Sequence, residues 1–201
     1  MRSSALFALL LAAAAVTVLL VARHGGDEGA PAGGTVALVG DSLNVGVEPY
    51  LGKALPGFDV IVNDRVGRRT EEGIDEIEEG RARLAPHVVV SLGTNDPPSA
   101  VGAFRAAVER VIELVGPGRC LVWATIWRDA APNDAFNQVL RDAASANRRM
   151  RLVEWAEMVQ AHPDWLAPDG LHGNETGYRE RARAIAAAVR DCAPARTVEA
   201  P

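Results

Sequence analysis

What most constrains the fold of this chain is a recurrence. Short apolar runs at Thr35–Val39, Phe58–Val62, His87–Leu92, Cys120–Thr125 and Met150–Val153 are separated by stretches with helical spacing. Uninterrupted runs of this length suit parallel strands covered on both faces. Between them, Phe104, Val108, Val111 and Val115 lie on one helical stripe, and Phe136, Val139, Leu140 and Ala143 on another. Tyr178, Ala182, Ile185, Val189 and Cys192 form a third, with Arg179, Glu180 and Arg183 on the opposite side. The alternation predicts an α/β fold: a three-layer α/β/α sandwich around a five-stranded parallel sheet. Such sheets bind ligands beyond the carboxyl ends of their strands. Chemistry is therefore expected in the loops Gly40–Asn44, Asn63–Thr70, Gly93–Ser99, Thr125–Asn133 and Glu154–Asn174.

The 201 residues accommodate one such domain, placed at 35–193, with a short tail at 194–201. Ahead of it, Ala5–Ala22 is uncharged and apolar, with Arg2 before it and Arg23 and His24 after it. As a helix it would span roughly 27 Å, a little short of a membrane crossing and longer than an ordinary signal-peptide core. Residues 1–22 therefore read as an uncleaved membrane anchor or a cleaved signal peptide, and residues 23–34 as a Gly-rich tether. Both readings predict an extracytoplasmic domain, secreted or held at the membrane. A net charge of −5 argues against a nucleic-acid partner. Cys120 opens a strand and Cys192 closes the last helix. Helices in a sandwich return antiparallel to the strands, so both thiols should meet at one end, as a disulfide or as two separate buried thiols.

The chemistry concentrates in three loops. Val39-Gly40-Asp41-Ser42 places a serine at the turn from a buried strand into a helix, where the helix N-terminus favours negative charge. A serine hydroxyl needs an adjacent base to act as a nucleophile. His172 is the candidate: His24 lies in the tether, His87 opens a strand at the wrong edge, and His162 has no evident partner. Asp169, three residues earlier, can accept the other imidazole N–H and fix the tautomer. The amide of Asn95, in Gly93-Thr94-Asn95-Asp96, can receive an oxyanion, with the backbone N–H groups of Ser42 and Gly67 completing the hole. Asp41 and Asp96 are expected to brace their turns. Arg65, Arg68, Arg69 and Arg128 fall at the same rim and could bind a substrate carboxylate or phosphate, solvated surface arginines being the commoner alternative. Trp127 and Trp165 either line a substrate pocket or pack their loops.

The ordered set Gly40-Asp41-Ser42-Leu43, Gly67, Gly93-Thr94-Asn95-Asp96 and Asp169-x-x-His172 resembles the SGNH (GDSL) hydrolase family. The resemblance implies a flavodoxin-like sandwich and a serine esterase or acyltransferase. Its nucleophile would be Ser42, its base His172, its orienting acid Asp169, and its oxyanion hole Ser42, Gly67 and Asn95. It implies no metal or organic cofactor. Trp123-Ala124-Thr125-Ile126-Trp127, Val153-Glu154-Trp155 and Pro163–His172 are similar to the extracytoplasmic SGNH domains of cell-envelope acyltransferases. The expected reaction is removal of a small O-acyl group, such as acetyl, from an envelope glycan or similar ester. Acyl transfer to a sugar hydroxyl is the alternative and would require a membrane partner to deliver the donor. A catalytically silent envelope-binding module is the third reading.

Overall fold

The computed structural model describes residues 33–80, 85–128, 131–132 and 134–192. The leader at 1–22, the tether up to residue 32 and the tail at 194–201 lie outside the described residues. Among the described residues, no helix is long and apolar enough to cross a membrane.

The chain runs β1 (Gly34–Gly40), α1 (Ser42–Ala54), β2 (Phe58–Asp64), α2 (Thr70–Glu79), β3 (His87–Ser91), α3 (Val101–Val115) and β4 (Cys120–Ala124). It continues through β5 (Trp127–Arg128), β6 (Ala131–Pro132), α4 (Asp134–Ala146), β7 (Met150–Val153), α5 (Trp155–Ala161) and α6 (Glu175–Asp191). The main sheet has five parallel strands in the order β2-β1-β3-β4-β7. It is the α/β sandwich that the apolar runs predict.

Every residue of β3 and β4 is buried, because helices cover both faces of the sheet. Alternate strand residues feed two cores. Val88, Val90, Leu121 and Trp123 pack with Phe104, Val108 and Val111 of α3 and with Phe136, Val139 and Leu140 of α4. Val36, Leu38, Val89 and Val122 pack with Val47 and Leu51 of α1, Trp155 and Val159 of α5, and Ala182, Ile185 and Val189 of α6. At the far end a disulfide joins Cys120 to Cys192, with Cα atoms 5.9 Å apart.

The strand order locates the site. From β1 the chain turns to β2 on one side, then crosses to β3 on the other, so a crevice opens where the direction of winding reverses. In register, Gly40 is level with Asp64 and with Ser91, so β1, β2 and β3 end at one rim. Two features depart from the sequence reading. Trp127–Arg128 and Ala131–Pro132 pair as a small antiparallel ribbon. The long segment after β7, expected as a loop, contains α5 and a 3₁₀ turn at Pro163–Trp165. The buried stripe Trp155, Ala156 and Val159 is too short for periodicity to resolve.

Candidate active site

The turn after β1 is held before any side-chain chemistry begins. Asp41 is wholly buried, and its N–H donates to the Ser91 carbonyl at 3.1 Å. Its carboxylate accepts the Leu43 N–H at 3.0 Å and so caps α1, whose first residue is Ser42. Burial raises the Asp41 pKa above its ordinary value, opposed by the Leu43 N–H and by the nearby Arg181 guanidinium. Ser42 itself is half-buried at the helix N-terminus.

Opposite it lies His172. Its Nε2 is 3.0 Å from Ser42 Oγ, and its Nδ1 is 2.8 Å from Asp169 Oδ2. A proton on Nδ1 donates to the carboxylate and leaves Nε2 free to accept from the serine hydroxyl. The other oxygen of Asp169 accepts the N–H groups of Leu171 and His172, each at 3.0 Å. Those bonds, the Leu171 N–H first, hold the exposed Asp169 carboxyl down to a pKa of about 2. The surrounding loop is pinned at several points. The Ala167 N–H donates to the His172 carbonyl at 2.7 Å, and Trp127 Nε1 donates to the Gly170 carbonyl at 3.0 Å. Asn174 caps α6 by accepting the Gly177 N–H.

Asn95 occupies the loop after β3. Its Nδ2 donates to the Arg68 carbonyl at 3.0 Å and to Asp41 Oδ2 at 3.3 Å. Both amide hydrogens therefore have protein acceptors. Gly67 precedes Arg68, the residue that touches Asn95, and takes a left-handed φ of 73° at an exposed turn. Gly93, at φ 115°, lets this loop press against Ile126 and Phe104. Thr70, at the start of α2, donates its N–H and its hydroxyl to the Asp96 carboxylate, tying the second and third loops together.

Two of the arginines expected at the rim for a substrate, Arg68 and Arg128, are buried, 3% and 6% exposed, and bind backbone instead. Arg68 Nη1 donates to the carbonyls of Gly40 and Asn63, and Nη2 donates to Asn63 Oδ1. Arg128 Nη1 donates to the carbonyls of Gly93, Thr94 and Asp96, while its guanidinium sits 5.0 Å from the centre of the Phe136 ring. Strand-end carbonyls with no next strand to pair need donors, and a guanidinium fork satisfies several at once. Trp127 and Trp165 are half-buried: the first is bonded to Gly170, and the second stacks on His162 at 4.2 Å between ring centres. Sequence reasoning missed Arg181, fully buried beneath the Ser42 turn. Its signal was available, since Arg181 lies three residues after Tyr178 and four before Ile185, on the apolar side of α6. Among the described residues, no group of three or more His, Cys, Asp or Glu could hold a metal ion.

The chain matches the GDSL-like Lipase/Acylhydrolase family over residues 27–180. It is 27% identical over 147 residues to the O-acetyltransferase OatA of Staphylococcus aureus, covering 71% of this chain and 23% of that protein. It is 25% identical over 141 residues to the putative peptidoglycan O-acetyltransferase YrhL of Bacillus subtilis, covering 68% of this chain and 21% of that one. The matched region thus spans between a fifth and a quarter of these relatives. Among solved structures, the C-terminal catalytic domain of Streptococcus pneumoniae peptidoglycan O-acetyltransferase A superposes with a TM-score of 0.67 at 20% identity, covering 79% of this chain and 93% of that domain. The fold is that of the SGNH hydrolases, and the chain belongs to the GDSL-like lipase/acylhydrolase family, as an enzyme of ester chemistry.

Proposed function

We propose that this protein is an extracytoplasmic serine esterase that removes a small O-acyl group, acetyl in the first instance, from an envelope glycan. The observation that carries the reading is the continuous relay from Asp169 through His172 to Ser42. Ser42 Oγ attacks the ester carbonyl while His172 Nε2 takes its proton, which forms a tetrahedral oxyanion. Asn95 Nδ2, turning from Asp41, receives that charge together with the Ser42 and Gly67 N–H groups. His172 then returns the proton to the departing sugar oxygen, leaving the acyl group on Ser42. A water deprotonated by His172 attacks the acyl-enzyme and releases the acid.

Acetyl and a glycan acceptor are chosen because the relatives are named for peptidoglycan O-acetylation. Those names equally favour transfer, in which a sugar hydroxyl replaces water at the acyl-enzyme. Purified protein should hydrolyse p-nitrophenyl acetate and label at Ser42 with a fluorophosphonate, and Ser42→Ala should do neither while keeping its melting temperature. Turnover retained in Ser42→Ala refutes the esterase reading. Adding a muro-oligosaccharide acceptor separates the two reactions: acylated oligosaccharide formed in place of free acid favours transfer.

A further inference from the structure

Arg181 is an expensive residue to keep where it is. Its side chain is 1% exposed, and Nε and Nη1 make no hydrogen bond among the described residues. A buried cation with unmet donors costs stability unless something nearby offsets it. Three things do. Nη2 donates to Ser91 Oγ at 2.7 Å, the guanidinium lies 4.8 Å from the centre of the Trp155 ring, and the Asp41 carboxylate is an electrostatic neighbour. Two of these three lead to the nucleophile: Ser91 grips the Asp41 N–H through its carbonyl, and Asp41 caps the helix that begins with Ser42.

We infer that Arg181 is a positioning residue for the nucleophile turn, holding Asp41 as a carboxylate so that Asp41 fixes Ser42. A charged acceptor binds the Leu43 N–H, and so caps the helix that begins with Ser42, more strongly than a neutral carboxyl does. Burial alone favours the neutral form of Asp41, and the Arg181 cation opposes it. The titratable and charged groups facing Asp41 are Arg181 and Tyr178 from α6, His172 from the preceding loop and Asp64 at the end of β2. Among these, Arg181 is the buried cation, its pKa lowered by burial to about 10 and held up by Asp41. Removing it leaves Asp41 to protonate at higher pH, which slackens the turn.

The inference rests on the esterase reading, and kinetics of the whole protein separate the two. Arg181→Met should lower kcat for p-nitrophenyl acetate about tenfold, a fraction of the loss from deleting an oxyanion donor, with KM little changed. The acid limb of its kcat/KM profile should move to higher pH. Arg181→Gln, which keeps a donor for Ser91 but no charge, should behave alike, and Arg181→Lys should restore the limb. The cation could also act directly on His172, so the same change is made in an Asp41→Asn background. There it should leave the limb where it was. A limb unmoved in whichever of the Met and Gln variants folds, or moved equally in the Asp41→Asn background, overturns the inference. Failure of wild-type protein to turn over ester, or undiminished activity in Asn95→Ala, would instead overturn the site reading.

Discussion

His172 Nε2 stands 3.0 Å from Ser42 Oγ although 130 positions separate them in the chain. Two anchors hold that distance: the Asp41 cap at the start of α1, and the pinned loop from Ala167 to Asn174. Because the two residues act as one unit, their losses should not add. Single Ser42→Ala and His172→Ala variants should each fall at least about 10⁴-fold in kcat for p-nitrophenyl acetate, and the double variant should be no worse. Multiplying losses would show that they do not share a step.

Asp169 is held low by two backbone N–H groups as well as by the imidazole. Its folded pKa of about 2 lies below the ordinary 3.8 of an aspartate, so it stays ionised throughout the range in which an esterase is assayed. Acid loss of activity should therefore track proton uptake by groups other than Asp169. Asp169→Asn should cost about 10²–10⁴ in kcat by disturbing the tautomer. Imidazole proton resonances followed in the wild type and in Asp169→Asn provide the check. An unchanged Nδ1 proton signal in the variant would mean that Asp169 does not orient the ring.

Arg128 gathers three carbonyls of the loop that carries Asn95. Arg128→Ala leaves one buried and two half-buried carbonyls unmet and should cost on the order of 2 kcal/mol in stability. Activity at a permissive temperature should fall in kcat, since Asn95 is then loosely held. A rise in KM with kcat and stability intact, measured by ester kinetics and urea denaturation, would return Arg128 to the substrate.

The five strands and the three motif loops were legible because each depends on local signals: uninterrupted apolar runs, a turn glycine, a short spacing such as Asp169 to His172. The arginines were not. Arg68 and Arg128 look in sequence like any surface cation, and only the meeting of strand ends and loops from distant segments creates the carbonyls that draw them inside, whereas Arg181 at least sits on the apolar side of α6. The Asn95 amide was likewise visible as a donor. That its hydrogens already rest on Arg68 and Asp41 depends on loops 27 and 54 residues away in sequence.

The disulfide closes a 72-residue separation between the start of β4 and the end of α6, far from the catalytic rim. Constraining a loop of that length should contribute about 4 kcal/mol by limiting the unfolded chain. Cys120→Ser with Cys192→Ser should lower the unfolding free energy by that order while leaving kcat near wild type. A large kcat loss with little change in stability would place the bridge in the site's machinery instead.

Asp64 gives the stability a pH dependence of unusual sign. Burial lifts its pKa from 3.8 to about 7, against the Asn44 amide and the Arg68 charge, which lower it. Between those values the folded protein holds a proton that the unfolded chain has released, so stability falls as pH rises through this window and the full penalty stands above it. Asp64→Asn removes the penalty and keeps an oxygen for Asn44 Nδ2, which donates to Oδ1 at 3.1 Å in the wild type. The variant should therefore match the wild type near about pH 4 and exceed it by on the order of 1 kcal/mol above about pH 7, less than the full shift implies because water partly reaches the group. Urea denaturation across that range measures the difference. A gap that stays constant with pH, or one that favours the wild type at high pH, would show that Asp64 is charged in the folded protein at little cost.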